Sequence, residues 1–158
     1  MADDEATYPA VKFAYDFVQP SYTLLVTRVE TTVTRIQALM TFAATITLGF
    51  PVLGRAVNED ISFVSVAFGS ALLFFVVLMA FGIIARDLGE LMVTSPAKIY
   101  QNSLHLSEWA FKRDAVFLAG KCFDHNLLLI AQKSELGRAM SMLLIGEVVF
   151  LLAWLIGG

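Results

Sequence analysis

Three long stretches without a charged side chain constrain this chain more than any other feature. Residues 38–54 and 61–85 contain no Asp, Glu, Lys or Arg, and residues 139–158 contain only Glu147. A helix that crosses a bilayer needs about 17–25 apolar residues, so each stretch is long enough, the first only just. The chain is 58% apolar, whereas ordinary soluble domains are about 45–50% apolar. We therefore predict three transmembrane spans at these positions.

The basic residues predict the orientation of the three spans. Lys and Arg collect in the cytoplasmic loops of membrane proteins. Three of them precede span one, one lies between spans one and two, and seven lie between spans two and three. A cytoplasmic N-terminus therefore keeps ten of the eleven basic residues inside. We expect a bacterial inner-membrane protein with residues 86–138 in the cytoplasm and the C-terminus exported.

The N-terminal region predicts helices that lead into span one. Pro9 and Pro20 favour helix starts, so we expect a short helix over 10–18 and a second one from about residue 20. We expect Pro51 to stop or kink this helix. Apolar side chains recur every three or four residues along it, which is typical of a packed helix face: Tyr22, Leu25, Val29, Val33, Ile36 and Met40.

A second amphipathic helix is predicted from Ser107 and Glu108 into span three. Its expected packing face has the same alternating spacing: Val116, Gly120, Phe123, Leu127, Ile130, Ser134 and Gly137. We assign Lys133 to the opposite, charged face. The predicted fold is thus all-α, a polytopic membrane protein with three transmembrane helices and a cytoplasmic helical bundle. The bundle would use residues 10–37 and 86–138, within a single domain over 1–158.

Glu147 stands near the middle of span three, where a charge costs at least ~2.5–3.5 kcal/mol. Three interpretations of this carboxyl remain open. It bonds a polar group on a neighbouring helix, it lines a water-filled path in an oligomer, or it relays protons. Candidate partners lie on the other spans: Thr41, Thr45, Thr47, Ser65 and Ser70. Thr41 and Thr45 also form a mildly polar stripe, so span one is a second candidate for a pore lining.

The sequence offers little for catalysis. It has no glycine-rich phosphate loop, no G-x-S-x-G elbow and no H-E-x-x-H motif. Cys122 and His125 are three residues apart, but a zinc site needs at least three protein ligands, and the chain has one cysteine and two histidines. We therefore expect no enzyme activity, no cofactor and no bound metal.

The stretch TRIQALMTFAATITLGFPVLG, with its lead-in YTLLVTRVETTV, resembles small bacterial membrane effectors of anti-phage defence. These are the SLATT-type proteins and the transmembrane effectors of Pycsar and CBASS systems. The resemblance covers about residues 20–130 and is one of layout, a cytoplasmic helix that feeds a transmembrane hairpin followed by more cytoplasmic helices. The third span departs from the two-span SLATT plan.

The resemblance implies a homo-oligomer that opens or disrupts the inner membrane after a nucleotide second messenger, or release from a partner enzyme of the same operon, triggers it. Direct nucleic-acid binding is not expected. Four basic residues are candidates for contacts to an anionic ligand: Arg28, Arg35, Lys112 and Arg113. We predict a gated pore in anti-phage defence; the alternative is a structural or accessory subunit of a larger membrane complex.

Overall fold

The computed structural model describes residues 8–57, 65–89, 91–93 and 105–157. These residues form three helices: α1 at Val11–Val57, α2 at Val66–Asp87 and α3 at Glu108–Gly157. Each helix is long and apolar enough to cross a membrane. The all-helical fold with three candidate spans is thereby confirmed. The sequence also predicts a helix start at Ser95, which Pro96 follows, and a cap for span two at Asn58 or Asp60; these positions lie outside the described residues.

Helix α1 is continuous over Val11–Val57. The sequence predicted two helices in this region and a stop or a kink at Pro51. The helix runs through both Pro20 and Pro51. Proline removes one backbone donor from a helix, but serine and threonine hydroxyls add hydrogen bonds in the turn around Pro20. Ser21 Oγ donates to the carbonyl of Phe17 at 2.9 Å, and Thr23 Oγ1 donates to that of Gln19 at 3.1 Å. The carbonyl that loses its donor at Pro20 is that of Asp16, so these two bonds do not replace the missing one.

Serine residues begin the other two helices. Ser65 precedes α2 with extended backbone angles, and its Oγ accepts a hydrogen bond from the Phe68 amide at 3.2 Å. Ser107 does the same for Ala110 at 3.3 Å, so the predicted helix start at residues 107 and 108 is confirmed. Such caps satisfy backbone donors that a helix end otherwise leaves unpaired. Gly89 follows α2 with a φ of +60°, a conformation that glycine adopts without strain.

The chain divides into two compact units. The spanning unit comprises Thr31–Leu88 and Gln132–Gly158 and holds the three hydrophobic stretches. All three helices contribute to its core: Ile36, Ala43, Leu78, Ala85 and Met140. Gly82 lets α1 and α2 approach closely, because a Cβ at this position would lie 2.5 Å from the Met40 sulfur.

The first unit comprises the residues up to Glu30 together with Gly89–Ala131. Asn126 is fully buried in this unit and makes two hydrogen bonds to the backbone of Met92. Its Oδ1 accepts from the Met92 amide at 2.9 Å, and its Nδ2 donates to the Met92 carbonyl at 3.1 Å. The hydroxyl of Tyr22 donates to the same carbonyl at 3.0 Å. The cytoplasmic bundle and the single-domain organisation both stay predictions.

The packing face of α3 differs from the predicted one. Gly120 and Leu127 of the predicted stripe are exposed. The buried positions are shifted: Cys122, Asn126, Leu129, Lys133, Met140, Glu147, Leu151 and Trp154. Five of them, from Asn126 to Trp154, repeat every seven residues, which keeps them on one side of a helix. The assignment of Lys133 to the charged face was therefore wrong.

Candidate functional site

Glu147 is the buried carboxyl of the spanning unit. Its side chain is 0% exposed and lies on the same helix face as Met140 and Trp154. The seven-residue spacing from each of these neighbours places it on that face. Glu147 therefore points into the interior between the three helices of the spanning unit.

Thr47 on α1 is the hydrogen-bond partner of this carboxyl. Its hydroxyl donates to Glu147 Oε1 in a short, buried hydrogen bond. Thr47 lies four residues beyond Ala43 and eleven beyond Ile36, so it continues the core-facing side of α1. The core faces of α1 and α3 thus meet in a polar pair, which we call the Thr47–Glu147 clasp.

The second oxygen of Glu147 has a different environment. Among the described residues, no hydrogen-bond partner reaches Oε2. An ionised carboxylate in hydrocarbon is costly, and a single neutral donor offsets little of that cost. The geometry therefore suits a protonated carboxyl, which is neutral, accepts the threonine hydrogen bond and carries one O–H donor of its own.

Aromatic side chains from α2 lie close to the clasp. A Cβ at Gly146 would lie 2.5 Å from a ring carbon of Phe74, so this glycine allows the ring to contact the α3 backbone. Phe74 also stacks on Phe150 with ring centroids 5.5 Å apart, and Phe68 stacks on Trp154 at 4.9 Å. Phe150 and Trp154 follow Glu147 by three and seven residues, so both ring pairs lie close to it along α3. Gly146 thus contacts α2 of the same chain. Gly146, Ala153 and Gly157 are small residues of span three that the sequence predicts to contact another helix closely. Ala153 and Gly157 are exposed.

Thr41 and Thr45 lie elsewhere on α1. Both side chains are exposed, and Thr45 Oγ1 donates to the Thr41 carbonyl at 2.8 Å. With about 100° of rotation per residue, these two threonines lie on the side of α1 opposite Ala43 and Thr47. The structure therefore separates the three threonines into one that bonds Glu147 and two that face outward.

The four predicted anion-binding residues are divided between the two units. Arg35 belongs to the spanning unit and the other three belong to the first unit. Lys112 bonds Glu108 at 2.5 Å, and this bond raises the pKa of Lys112. Arg113 pairs with Asp114 at 2.9 Å and lies over the Trp109 ring. Two of the four cations are thus engaged by neighbours of the same helix.

Lys133 is a buried cation that the sequence interpretation missed. Its side chain is 4% exposed, and Nζ donates to the carbonyl of Ala85 at 2.8 Å and to that of Arg86 at 3.5 Å. These carbonyls end α2, where the helix dipole attracts positive charge. Desolvation by burial lowers the pKa of Lys133, while Asp87 acts in the opposite direction. The seven-residue repeat of Lys133, Met140 and Glu147 was the signal available in the sequence.

No cluster of three or more His, Cys, Asp or Glu side chains suited to a metal ion occurs in the described part of the chain. Comparisons with family models, with curated proteins and with solved structures found no match to this chain.

Proposed function

We propose that this chain assembles into a homo-oligomeric, gated pore in a bacterial inner membrane, and that it acts there as an effector of anti-phage defence. Residues 86–138 and the N-terminus face the cytoplasm in this proposal. Three helices are too few to surround a water-filled path, so each copy contributes one helix to a shared axis. We assign that helix to α1.

The outward face of α1 is the observation that carries the proposal. The core face of this helix is apolar and meets α2 and α3 through Ile36 and Ala43. The opposite face carries two exposed hydroxyl side chains within span one: Thr41 and Thr45. Lipid offers these groups no hydrogen-bond partner, whereas water in a pore does. The bond from Thr45 to its own helix lowers the cost while the face is dry.

The same face becomes apolar farther along α1. Leu48 and Val52 are 75% and 71% exposed and follow Thr45 on the outward side. Apolar constrictions close pores by excluding water. We assign Leu48 and Val52 to the closed constriction, and the Thr47–Glu147 clasp on the opposite face to the contacts that hold α1 in this arrangement.

The proposal is tested by conductance across planar bilayers with purified protein. We expect Thr47→Val to raise the open probability, because it releases α1 from Glu147. We expect Thr45→Val to lower the single-channel conductance and Glu147→Gln to leave ion selectivity unchanged. Leu73→Ala, at an exposed position on α2, is the matched control and should change neither quantity.

Two results would contradict the pore. One is a monomer in detergent and in bilayers that conducts in none of these variants. The other is copurification at fixed stoichiometry with a larger membrane complex, which would favour an accessory subunit. A periplasmic reporter fused to the C-terminus should be active if the proposed orientation is correct.

The cellular role is tested by infection. Cells that carry this gene with its genomic neighbours should lose membrane potential after phage infection and restrict phage growth. The Thr45→Val variant should weaken both effects together. Full protection by a variant that does not conduct would separate the defence role from the pore.

A further inference from the structure

A cleft of about 560 Å³ opens on one flank of the spanning unit, between α1 and the end of α2. Its lining is apolar at Val33, Ile36, Met40 and Ile83 and polar at Gln37, Thr41, Arg86 and Asp87. Ile83 is 54% exposed, so the side chains of the unit leave this apolar surface uncovered. The Thr47–Glu147 clasp does not belong to the cleft.

The cleft straddles the end of the charge-free stretches. Span one begins at residue 38 and span two ends at residue 85. Met40 and Ile83 therefore lie at the level of hydrocarbon, while Gln37, Arg86 and Asp87 lie at the level of headgroups. A ligand that fills the cleft needs an apolar chain joined to a polar end, which is the structure of a membrane lipid.

The charges at the polar end select among lipids. Arg86 and Asp87 are neighbours of opposite charge, and both line the cleft. Arginine recognises phosphate through paired hydrogen bonds. A carboxylate beside it attracts an ammonium group and repels a second negative charge. This pair therefore matches a headgroup that carries phosphate and ammonium together.

Lys133, at the C-terminal end of α2, supports the assignment of a phosphate-containing headgroup to the cleft. Its ammonium bonds the carbonyls of Ala85 and Arg86, so it offsets the negative end of the α2 dipole next to the cleft. Without that offset, the helix end would oppose a phosphate. When Lys133 offsets the helix dipole, the charges of Arg86, Lys133 and Asp87 together leave a small positive charge that favours the phosphate.

We propose that this cleft binds a zwitterionic aminophospholipid, with an acyl chain along Met40 and Ile83, the phosphate on Arg86 and the amine on Asp87. Thr41 belongs both to the cleft lining and to the outward face of α1, so the bound lipid lies beside that face. The site does not depend on pore formation.

Native mass spectrometry of the detergent-solubilised protein tests the proposal. Equal amounts of phosphatidylethanolamine, phosphatidylcholine and phosphatidylglycerol are added in competition. We expect wild-type protein to retain phosphatidylethanolamine preferentially, because phosphatidylcholine has no N–H donor and phosphatidylglycerol no amine. Arg86→Gln should weaken retention of all three about tenfold, the effect of losing a charge-assisted hydrogen bond.

Two further variants separate the headgroup from the chain. Asp87→Asn should abolish the preference for the amine while phospholipid still binds. Ile83→Trp should reduce retention of every lipid by filling the apolar half. Arg138→Gln, at an exposed arginine paired with Glu135, is the matched control, and circular dichroism verifies helix content. Equal retention of the three lipids by wild type, an unchanged preference in Asp87→Asn, or undiminished lipid retention in Arg86→Gln would each overturn the proposal.

Discussion

Replacement of Thr47 by valine tests the clasp most directly. Valine has nearly the shape of threonine, so the packing against α3 is retained while the hydrogen bond that Thr47 donates to Glu147 Oε1 is lost. Because Oε2 already lacks a partner among the described residues, the whole carboxyl would be left without a donor. Interhelical hydrogen bonds in membranes average ~0.6 kcal/mol and reach ~1.7, and unpaired buried groups cost ~1–3. We therefore expect a loss of about 1–2 kcal/mol in the free energy of unfolding.

The assay is a double-mutant cycle with Glu147→Leu, measured by reversible unfolding in mixed micelles and followed by circular dichroism. In the Glu147→Leu background, Thr47→Val should cost almost nothing, since the hydroxyl then has no carboxyl to bond. Thr45→Val is the matched control, because Thr45 is exposed and bonds its own helix. An equal cost of Thr47→Val in both backgrounds would refute the clasp, since the cycle isolates the pairwise interaction.

Three further predictions concern packing and burial. Gly146→Ala should destabilise the protein by about 1–3 kcal/mol in thermal unfolding, because the added carbon meets the Phe74 ring. Gly69→Ala is the control, since a Cβ at Gly69 would meet no neighbouring side chain within 4 Å. It should be neutral or stabilise by up to ~1 kcal/mol. Asn126→Ala should speed hydrogen exchange of the Met92 amide, because Asn126 Oδ1 accepts the hydrogen bond that this amide donates. His125→Ala should not change that exchange rate. Burial lowers the pKa of Lys133, so the folded state releases this proton at lower pH than the unfolded state; stability should therefore rise with pH between the lowered pKa and 10.5. Lys133→Met should remove that rise, and Lys121→Met, at an exposed lysine, should retain it.

The helices were predictable because composition and apolar spacing determine them locally. In α1 the predicted stripe contains Leu25, Val29 and Ile36, all of which are buried. Its extension by the same spacing reaches Ala43 and Thr47, so the partner of Glu147 could have been selected from three threonines. The continuity through Pro20 could not, because the rule that proline begins a helix is local, whereas tertiary context overrides local preference.

The packing face of α3 was missed because polar residues occupy it. Asn126 and Lys133 interrupt the apolar pattern, which moved the predicted stripe off the buried positions. Both side chains are satisfied by backbone groups far away in sequence, at Met92 for Asn126 and at Ala85 for Lys133. Apolar periodicity contains no information about such distant partners. The seven-residue repeat that includes Glu147 nevertheless places Asn126 and Lys133 on the same face of α3.

The central claim is that the outward face of α1 lines the path and that Glu147 stays dry in the closed state. Cysteine accessibility measures both in reconstituted protein with Cys122→Ser as the background. A membrane-impermeant thiol reagent should modify Thr45→Cys and block conductance, and should leave Glu147→Cys and the control Leu73→Cys unmodified. Rapid modification of Glu147→Cys with no reaction at Thr45→Cys would contradict the account and place the water-filled path on span three.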